Sequence, residues 1–401
     1  MKDEIYYGIL WSGLAAMLVF APIARGAVRT WSVTPALLVS YALIFIWLWK
    51  MNNREDVPSS KLQATNLDKP ILAFTVLATV SFIFSIYKHD SFYALIRFFA
   101  YLGIYYLVAN EFNHSMKKRL IGLIICIGGA LSLFGLLQYI GILNHSWWYP
   151  PDFLASTYVN HNHFAGYLEL VIPVTISMLT ARRARLRPAL GVVLVLMVAV
   201  LILTQSRGAW ISLGASLLVM AAAMLKKAMR DKKGIIIFAL LIFSVASLLY
   251  FGKDVITERL DTVLQITEGK ESSSGTRLKI WRGTIDMIEH NPLVGTGIGT
   301  FVWGFPRYRP EGLNVLADYA HNDYLQAAAE MGIFALLFIV WILFKVIRKG
   351  LKDGPDDPIR LGCAIGALSL SLHGLVDFNF HIPANMLLFT VYLAIVMKKP
   401  K

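Results

Sequence analysis

Charge is scarce in this 401-residue chain. Only 16% of its residues are Asp, Glu, Lys or Arg, where a soluble domain carries roughly 25%. That shortage excludes an ordinary water-soluble globule. Hydrophobic residues make up 57% instead, with a mean hydropathy of +0.59. Cysteine is nearly absent. Cys126 and Cys363 both fall inside apolar blocks, which excludes a disulfide framework or a cysteine-based zinc site. Acidic residues are the scarcer sign, 25 against 38 Lys and Arg, for a net charge of +13. No clustered basic face on a folded module goes with that excess, so nucleic acid is not its partner. Cytoplasmic loops of membrane proteins are rich in Lys and Arg, and they account for it. The chain also lacks a P-loop, a GxSxG elbow and an outer DxD-like carboxylate pair to hold Mg²⁺ on a nucleotide sugar.

Apolar runs of about 20 residues, the length that crosses a bilayer, recur along the chain. They predict an all-α polytopic membrane protein of about twelve spans. These lie near residues 5–24, 34–50, 70–88, 92–110, 119–143, 161–181, 188–205, 208–225, 234–252, 320–345, 360–380 and 383–398. The first block begins with Lys2, Asp3 and Glu4, without net positive charge or a good cleavage site, so it reads as a retained helix. Alternate connections are basic: Lys50, Arg54 and Lys61; Lys117, Lys118 and Arg119; Arg182, Arg183, Arg185 and Arg187; Lys226 to Lys233; Lys345 to Lys352; and Lys398 onward. The intervening series is poor in Lys and Arg, and residues 144–160 and 378–384 contain none. By the positive-inside rule both termini are cytoplasmic and residues 253–319 lie outside. The expected organisation is one integral membrane domain: nine spans over 1–252, the outer loop 253–319, and three spans over 320–401.

The outer loop is the longest polar interval. Residues 254–266 predict a short helix lying on the membrane, followed by a Ser-rich break over 269–275. A second helix has Leu278, Trp281, Ile285 and Ile288 as its apolar stripe, flanked by Arg277 and Arg282. Gly295-x-Gly297-x-Gly299 has the wrong spacing for a dinucleotide fingerprint and reads as a tight turn. His321 opens the tenth span at its outer boundary, with Asp323, Gln326 and Glu330 below it.

Several outer residues break the charge rule. Arg25, Arg29, Lys88, Arg97 and Arg207 sit on the face that ought to avoid positive charge. Arg97, about one turn below the outer end of its span, either snorkels or faces an internal cavity. Arg207 occupies a tight hinge, where Ser206 is placed to cap the next helix and Gly208 admits close backbone approach. It reads either as a solvated turn arginine or as half of an anion site at a helix N-terminus. His161 and His163, at i and i+2, point to different helix faces; they are expected to hydrogen-bond a polar ligand rather than share a metal. Trp147, Trp148 and Tyr149 read as an interfacial aromatic belt or, second, a sugar-stacking platform. His373 and Asp377, four apart, share a helix face as a structural pair or a substrate contact.

The candidates on the outer face are therefore His161, His163, Arg207, Arg277, Arg282, His321, Asp323 and Asp377, with Arg97 just below. Their chemistry is arginine plus histidine, with no metal or cofactor. Arginine keeps its charge and grips phosphate bidentately; histidine takes a proton near neutral pH. The combination suits displacement at a sugar carbon with a diphosphate leaving group.

Four stretches carry a family resemblance: Ser206-Arg207-Gly208; Arg277 with Trp281; His290-Asn291-Pro292-Leu293-Val294-Gly295-Thr296-Gly297; and His321-Asn322-Asp323-Tyr324-Leu325-Gln326 with Glu330 and Gly332. In order and outer placement the chain resembles the O-antigen ligase and polymerase superfamily of bacterial inner-membrane proteins, most strongly over 160–345. The resemblance implies a GT-C-like membrane glycosyltransferase. Its donor is a glycan on undecaprenyl diphosphate, its acceptor a glycan or lipid, and its active site faces the periplasm. It implies that Arg207 and a loop arginine, Arg277 matching better than Arg282, hold the diphosphate and that His321 is the base. The motifs do not separate ligases from polymerases or from protein O-glycosylating relatives. From another class, a transporter or flippase of a lipid-linked anion is the alternative; it predicts charges near mid-membrane and related halves.

Overall fold

The computed structural model describes residues 3–53, 62–143, 153–180, 187–228, 242, 245, 273–354 and 356–398. Among them the chain is all helix. The helices are α1 (Asp3–Ile23), α2 (Thr30–Asn52), α3 (Asp68–Ile83), α4 (Lys88–Glu111), α5 (His114–Tyr139), α6 (His161–Thr180) and α7 (Arg187–Leu203). Then come α8 (Arg207–Ala228), α9 (Ser273–His290), α10 (Phe301–Gly304), α11 (Asp323–Met331), α12 (Phe334–Asp353), α13 (Pro358–His373) and α14 (Pro383–Met397). All but residues 242 and 245 of the ninth span expected over 234–252, the helix over 254–266, most of the Ser-rich break and the Trp147–Tyr149 aromatics lie outside the described residues.

Six described helices, α1, α2, α4, α5, α6 and α8, are long and apolar enough to cross a membrane; α7 and α14 are shorter apolar helices. Their outward faces stay apolar. Phe45 on α2 and Val192 on α7 are each 70% exposed, a surface that suits hydrocarbon and not water.

Helix α13 is the axis of the bundle. It packs most extensively against α6, then against α8, α12 and α14. Small residues permit this. A Cβ at Gly366 would meet the Leu170 carbonyl oxygen of α6 at 2.7 Å, so the two backbones are in near contact, as small-residue interfaces in membranes allow. Asp357 caps α13 by accepting from the Arg360 N–H, and Pro358 takes the first turn, where no N–H is needed.

The two ends of the bundle differ chemically. At one end basic side chains tie helix termini together. Lys50 pairs with Asp3 at 2.9 Å, Arg360 with Asp353 at 2.7 Å, and Lys345 bonds the Asn66 carbonyl at 3.0 Å. Lys398 reaches the Asn110 carbonyl at 3.2 Å. This is the end the charge alternation assigns to the cytoplasm. The other end gathers His, Asp and Arg.

The structure corrects several expected boundaries. The tenth span, 320–345, is broken after Met331. Gly332 takes φ +84°, and a side chain there would collide with the Leu293 carbonyl. The turn over 291–299 wedges against this break. Thr296 and Gly297 donate to the Ala329 and Glu330 carbonyls at 3.1 and 2.9 Å, and Ile333 donates to Pro292 at 2.9 Å. The freed carbonyls of α11 thereby find partners. The eleventh span, 360–380, stops at His373, so Asp377 lies in the turn that follows, its N–H still bonding the His373 carbonyl at 3.1 Å. Helix α4 begins at Lys88, which puts Arg97 nine residues in, about 13 Å along the axis, deeper than one turn. On α9 the expected stripe is out of phase. Leu278 and Ile285 are 47% and 45% exposed, while Ile280 and Met287 are buried with Phe301 and Phe305. Ser206 does not cap α8; its hydroxyl is buried without a hydrogen-bond partner among the described residues.

Candidate functional site

Four helices begin at the polar end: α6 at His161, α8 at Arg207, α11 at Asp323 and α14 at Pro383. Their N-termini turn partial positive charge toward one region. The turn over 374–378 and a 3-10 turn over Asn379–His381 run between them.

Asp377 is the hub. Its side chain is 2% exposed, and three cationic or basic groups surround it: Arg277 Nη2 at 3.6 Å, His321 Nδ1 at 3.7 Å and His163 Nε2 at 4.0 Å. The same arginine donates from Nη1 to the Val376 carbonyl at 3.0 Å, and the Phe378 N–H donates to Asp377 Oδ1 at 2.8 Å. Burial by itself would raise the Asp377 carboxyl. The His321 ring, and then the charges of His163, His373 and Arg277, outweigh it and hold the group well below the usual carboxylate range.

His321 precedes α11, whose cap is Asn322; that side chain accepts from the Tyr324 and Leu325 N–H groups. With Nδ1 toward Asp377, Nε2 is the nitrogen left to take a proton. The ring stands edge-on to Phe378, centroids 4.8 Å apart, as does His163 at 4.7 Å. On the other side of Phe378 lies a second His–Asp pair. Asp323 accepts from His381 Nδ1 at 2.8 Å and from the Phe380 N–H at 3.2 Å. Tyr319 stacks on Phe378 at 4.3 Å and also meets the His381 ring.

Below the hub a buried polar network fixes the turn. His373 Nδ1 contacts Glu169 Oε2 at 2.6 Å, and Ser369 donates to Glu169 Oε1 at 2.8 Å. Asn385 bonds both Asn379 and the His163 carbonyl, at 3.0 and 2.9 Å, and takes a bond from the Tyr158 hydroxyl. Glu330, a buried acid of α11, accepts from the Gly299 N–H at 2.7 Å, the Phe301 N–H at 3.2 Å and Gln326 at 3.1 Å. It therefore ties the glycine turn to α11.

The expected site residues are distributed as follows. Arg277, His321, His163 and Asp377 converge. Asp323 sits one aromatic layer away. A Cβ at Gly208 would lie 3.0 Å from Val376 and 2.9 Å from His373 Nε2, so the N-terminus of α8, with Arg207 and the unpaired Ser206 hydroxyl, borders the same turn. His161 contacts the Thr204 carbonyl, in the hinge between α7 and α8, through Nδ1 at 2.6 Å. The charge of Arg97 reaches Tyr319 and His381. Arg282 is exposed on α9, away from the hub. The sequence reading passed over His381 and Glu169. An acid in the apolar stretch of α6 is the signal for Glu169; His381 lies in the connection 378–384, which stands out in the sequence only for lacking Lys and Arg.

The described site sets one arginine and two imidazoles around a buried carboxylate at one end of a bundle of apolar helices. Residues 192–340 match the protein family described as O-antigen ligase. The match holds α8, α9, the glycine turn, His321 and α11. It supports placing the chain in the O-antigen ligase and polymerase superfamily, with membrane-bound ligase or polymerase function in the general sense. No curated protein shows significant similarity to the chain.

Proposed function

We propose that the protein is an O-antigen ligase-like glycosyltransferase of the bacterial cytoplasmic membrane, with its site at the periplasmic face. It moves a glycan from a polyprenyl diphosphate to an acceptor hydroxyl. The acceptor oxygen forms a bond to the sugar carbon as the bond from that carbon to the diphosphate oxygen breaks. His321 Nε2 takes the hydroxyl proton, and Asp377 faces the resulting imidazolium. The bonding pair leaves on the diphosphate. Arg277, Arg207, the Ser206 hydroxyl and the α8 N-terminus supply positive charge and donors for it. The step needs no metal, because arginines and helix N-termini carry the leaving group's charge.

The observation that carries this reading is the placement of His321 and Arg277 within 3.6–3.7 Å of one buried carboxylate. The transporter alternative wants its charges near mid-membrane, whereas these lie at one end of the bundle. His321→Ala tests the reading in membranes supplied with lipid-linked donor and acceptor. Abolished transfer with an unchanged melting temperature is expected; full transfer would reject the assigned base. Deleting the gene tells the two acceptor classes apart: unattached chains mark a ligase, single-repeat products a polymerase.

A further inference from the structure

Between α3, α4, α12 and α14 runs a half-open groove lined almost wholly by carbon, with Phe74, Phe98, Tyr101, Ile342, Met386 and Phe389 among its walls. It is open on one side, next to the exposed apolar side chains Leu72 and Val76 of α3. Along α4 it starts at Phe98, the residue after Arg97, and reaches Tyr105, about 10 Å further down. Along α14 it starts at Met386, five residues after His381; Phe380, next to that histidine, packs on Phe389 at 4.8 Å. Arg97 is four residues before Tyr101 and so shares its helix face. The upper end of the groove therefore opens under one arginine and one histidine.

Those two groups are not used up by the protein. Arg97 makes no hydrogen bond or ion pair with any described residue. Asp90, the acid whose field it feels, is already taken by Trp303 Nε1 at 2.7 Å and by His89. His381 spends Nδ1 on Asp323, and its Nε2 has no partner among the described residues. An arginine this deep in a span without a partner is costly unless a ligand supplies the anion.

We propose that this groove seats the prenyl chain of the diphosphate donor, with Arg97 and His381 gripping the phosphate nearest the chain. The assignment rests on the glycan-transfer reading for the donor's identity. It deepens that reading by giving the lipid a path. The phosphate next to the sugar then lies on the side of Arg277 and Arg207, and the chain descends between α4 and α14. A narrow groove walled by aromatic rings suits one unbranched row of prenyl units better than a lipid with several acyl chains.

The test uses the full-length protein in nanodiscs with a polyprenyl diphosphate bearing a diazirine in the prenyl units next to the phosphate. Irradiation and peptide mapping are expected to place the label within 98–105 of α4 and 386–393 of α14. Unlabelled polyprenyl diphosphate should displace it, and anionic phospholipid should not. Label scattered over α2, α5 and α7, or displaced equally by phospholipid, would overturn the assignment and leave only a coat of bilayer lipid. Arg97→Gln and His381→Gln should each raise the donor KM roughly tenfold, the scale of one charge-assisted hydrogen bond, with Arg97→Lys recovering part of it. A loss confined to kcat would overturn the proposed role. Labelling needs no turnover. A labelled groove without glycan transfer would sink the transfer reading alone, and transfer with label elsewhere would sink this one.

Discussion

Replacing Asp377 with Asn removes one negative charge and almost nothing else. Asn is isosteric, and its Oδ1 still accepts from the Phe378 N–H, so the turn over 374–378 should hold. The lost charge faces His321 at 3.7 Å. Two unit charges at that separation interact by about 4 kcal/mol at an effective dielectric of 20. The His321 side chain is 31% exposed, so solvent screening cuts this to roughly 2 kcal/mol. In a proton-transfer step that builds an imidazolium, that is about a thirtyfold fall in kcat. Arg277 behaves in the opposite sense. It loses a carboxylate at 3.6 Å and becomes freer to hold diphosphate, so the donor KM should stay level or fall. The assay is initial-rate transfer over a range of donor concentrations, with melting temperature as the folding control. A kcat within threefold of wild type, or a loss carried wholly by KM, would refute the reasoning. Asp377 also links stability to pH. Its folded carboxyl is depressed, so its stabilisation is complete above the unfolded value of about 3.9 and is lost only as pH falls through the lower folded value. The melting-temperature gap between wild type and Asp377→Asn should therefore stay constant from pH 7 to about pH 5 and close only well into acid.

Arg277→Ala should lower transfer roughly a hundredfold or more, as loss of a charge donor to a leaving group does, whereas Arg282→Ala on the exposed face of α9 should stay within about threefold; equal losses in initial-rate assays would undo the distinction drawn between them. Gly332→Ala forces a side chain into the Leu293 carbonyl at positive φ and should cost more than about 3 kcal/mol, read as a large drop in melting temperature or in folded yield. Glu169→Gln, which leaves His373 buried beside a neutral amide, should destabilise by about 3 kcal/mol; an unchanged melting temperature would show that the pair does not brace the turn.

The sequence exposed whatever depends on ends and order. Arg207 and His321 stand where apolar blocks begin, and Arg277 lies in the one long polar loop between two such blocks, so charge alternation alone placed all three on one face. It hid whatever depends on where a helix stops in three dimensions. His373 and Asp377 look like an i, i+4 pair, yet α13 ends between them. His373 then turns to Glu169, 204 residues away in sequence. Gly332 lies in an apolar run that reads as one span; only the carbonyl of Leu293 pressing on it shows why the helix must break. On α9 two stripes have helical spacing, Leu278 with Ile285 and Ile280 with Met287. Nothing local chooses between them. The choice is made by Phe301 and Phe305, which belong to a separate turn and cover the second stripe.

Two of the five non-glycine residues at positive φ among the described residues fall at the proposed site. They are Gln205 at 54° and His321 at 51°, two residues before Arg207 and at the proposed base itself. Each conformation costs of order 1 kcal/mol or more and persists only where neighbours over-determine it. At His321 the neighbours are identifiable. Ala320 donates its N–H to Gln326 Oε1 at 3.0 Å, Asn322 caps α11, and the Asp323 N–H bonds the Gly374 carbonyl at 2.8 Å. Those three anchors hold the chain on both sides and leave His321 one way to turn, toward Asp377. A relaxed extended residue there would carry the ring away from the carboxylate. The strained torsion therefore accounts for the aim of the imidazole, and it requires Gln326 and Asn322 to matter for transfer although neither approaches the reacting atoms.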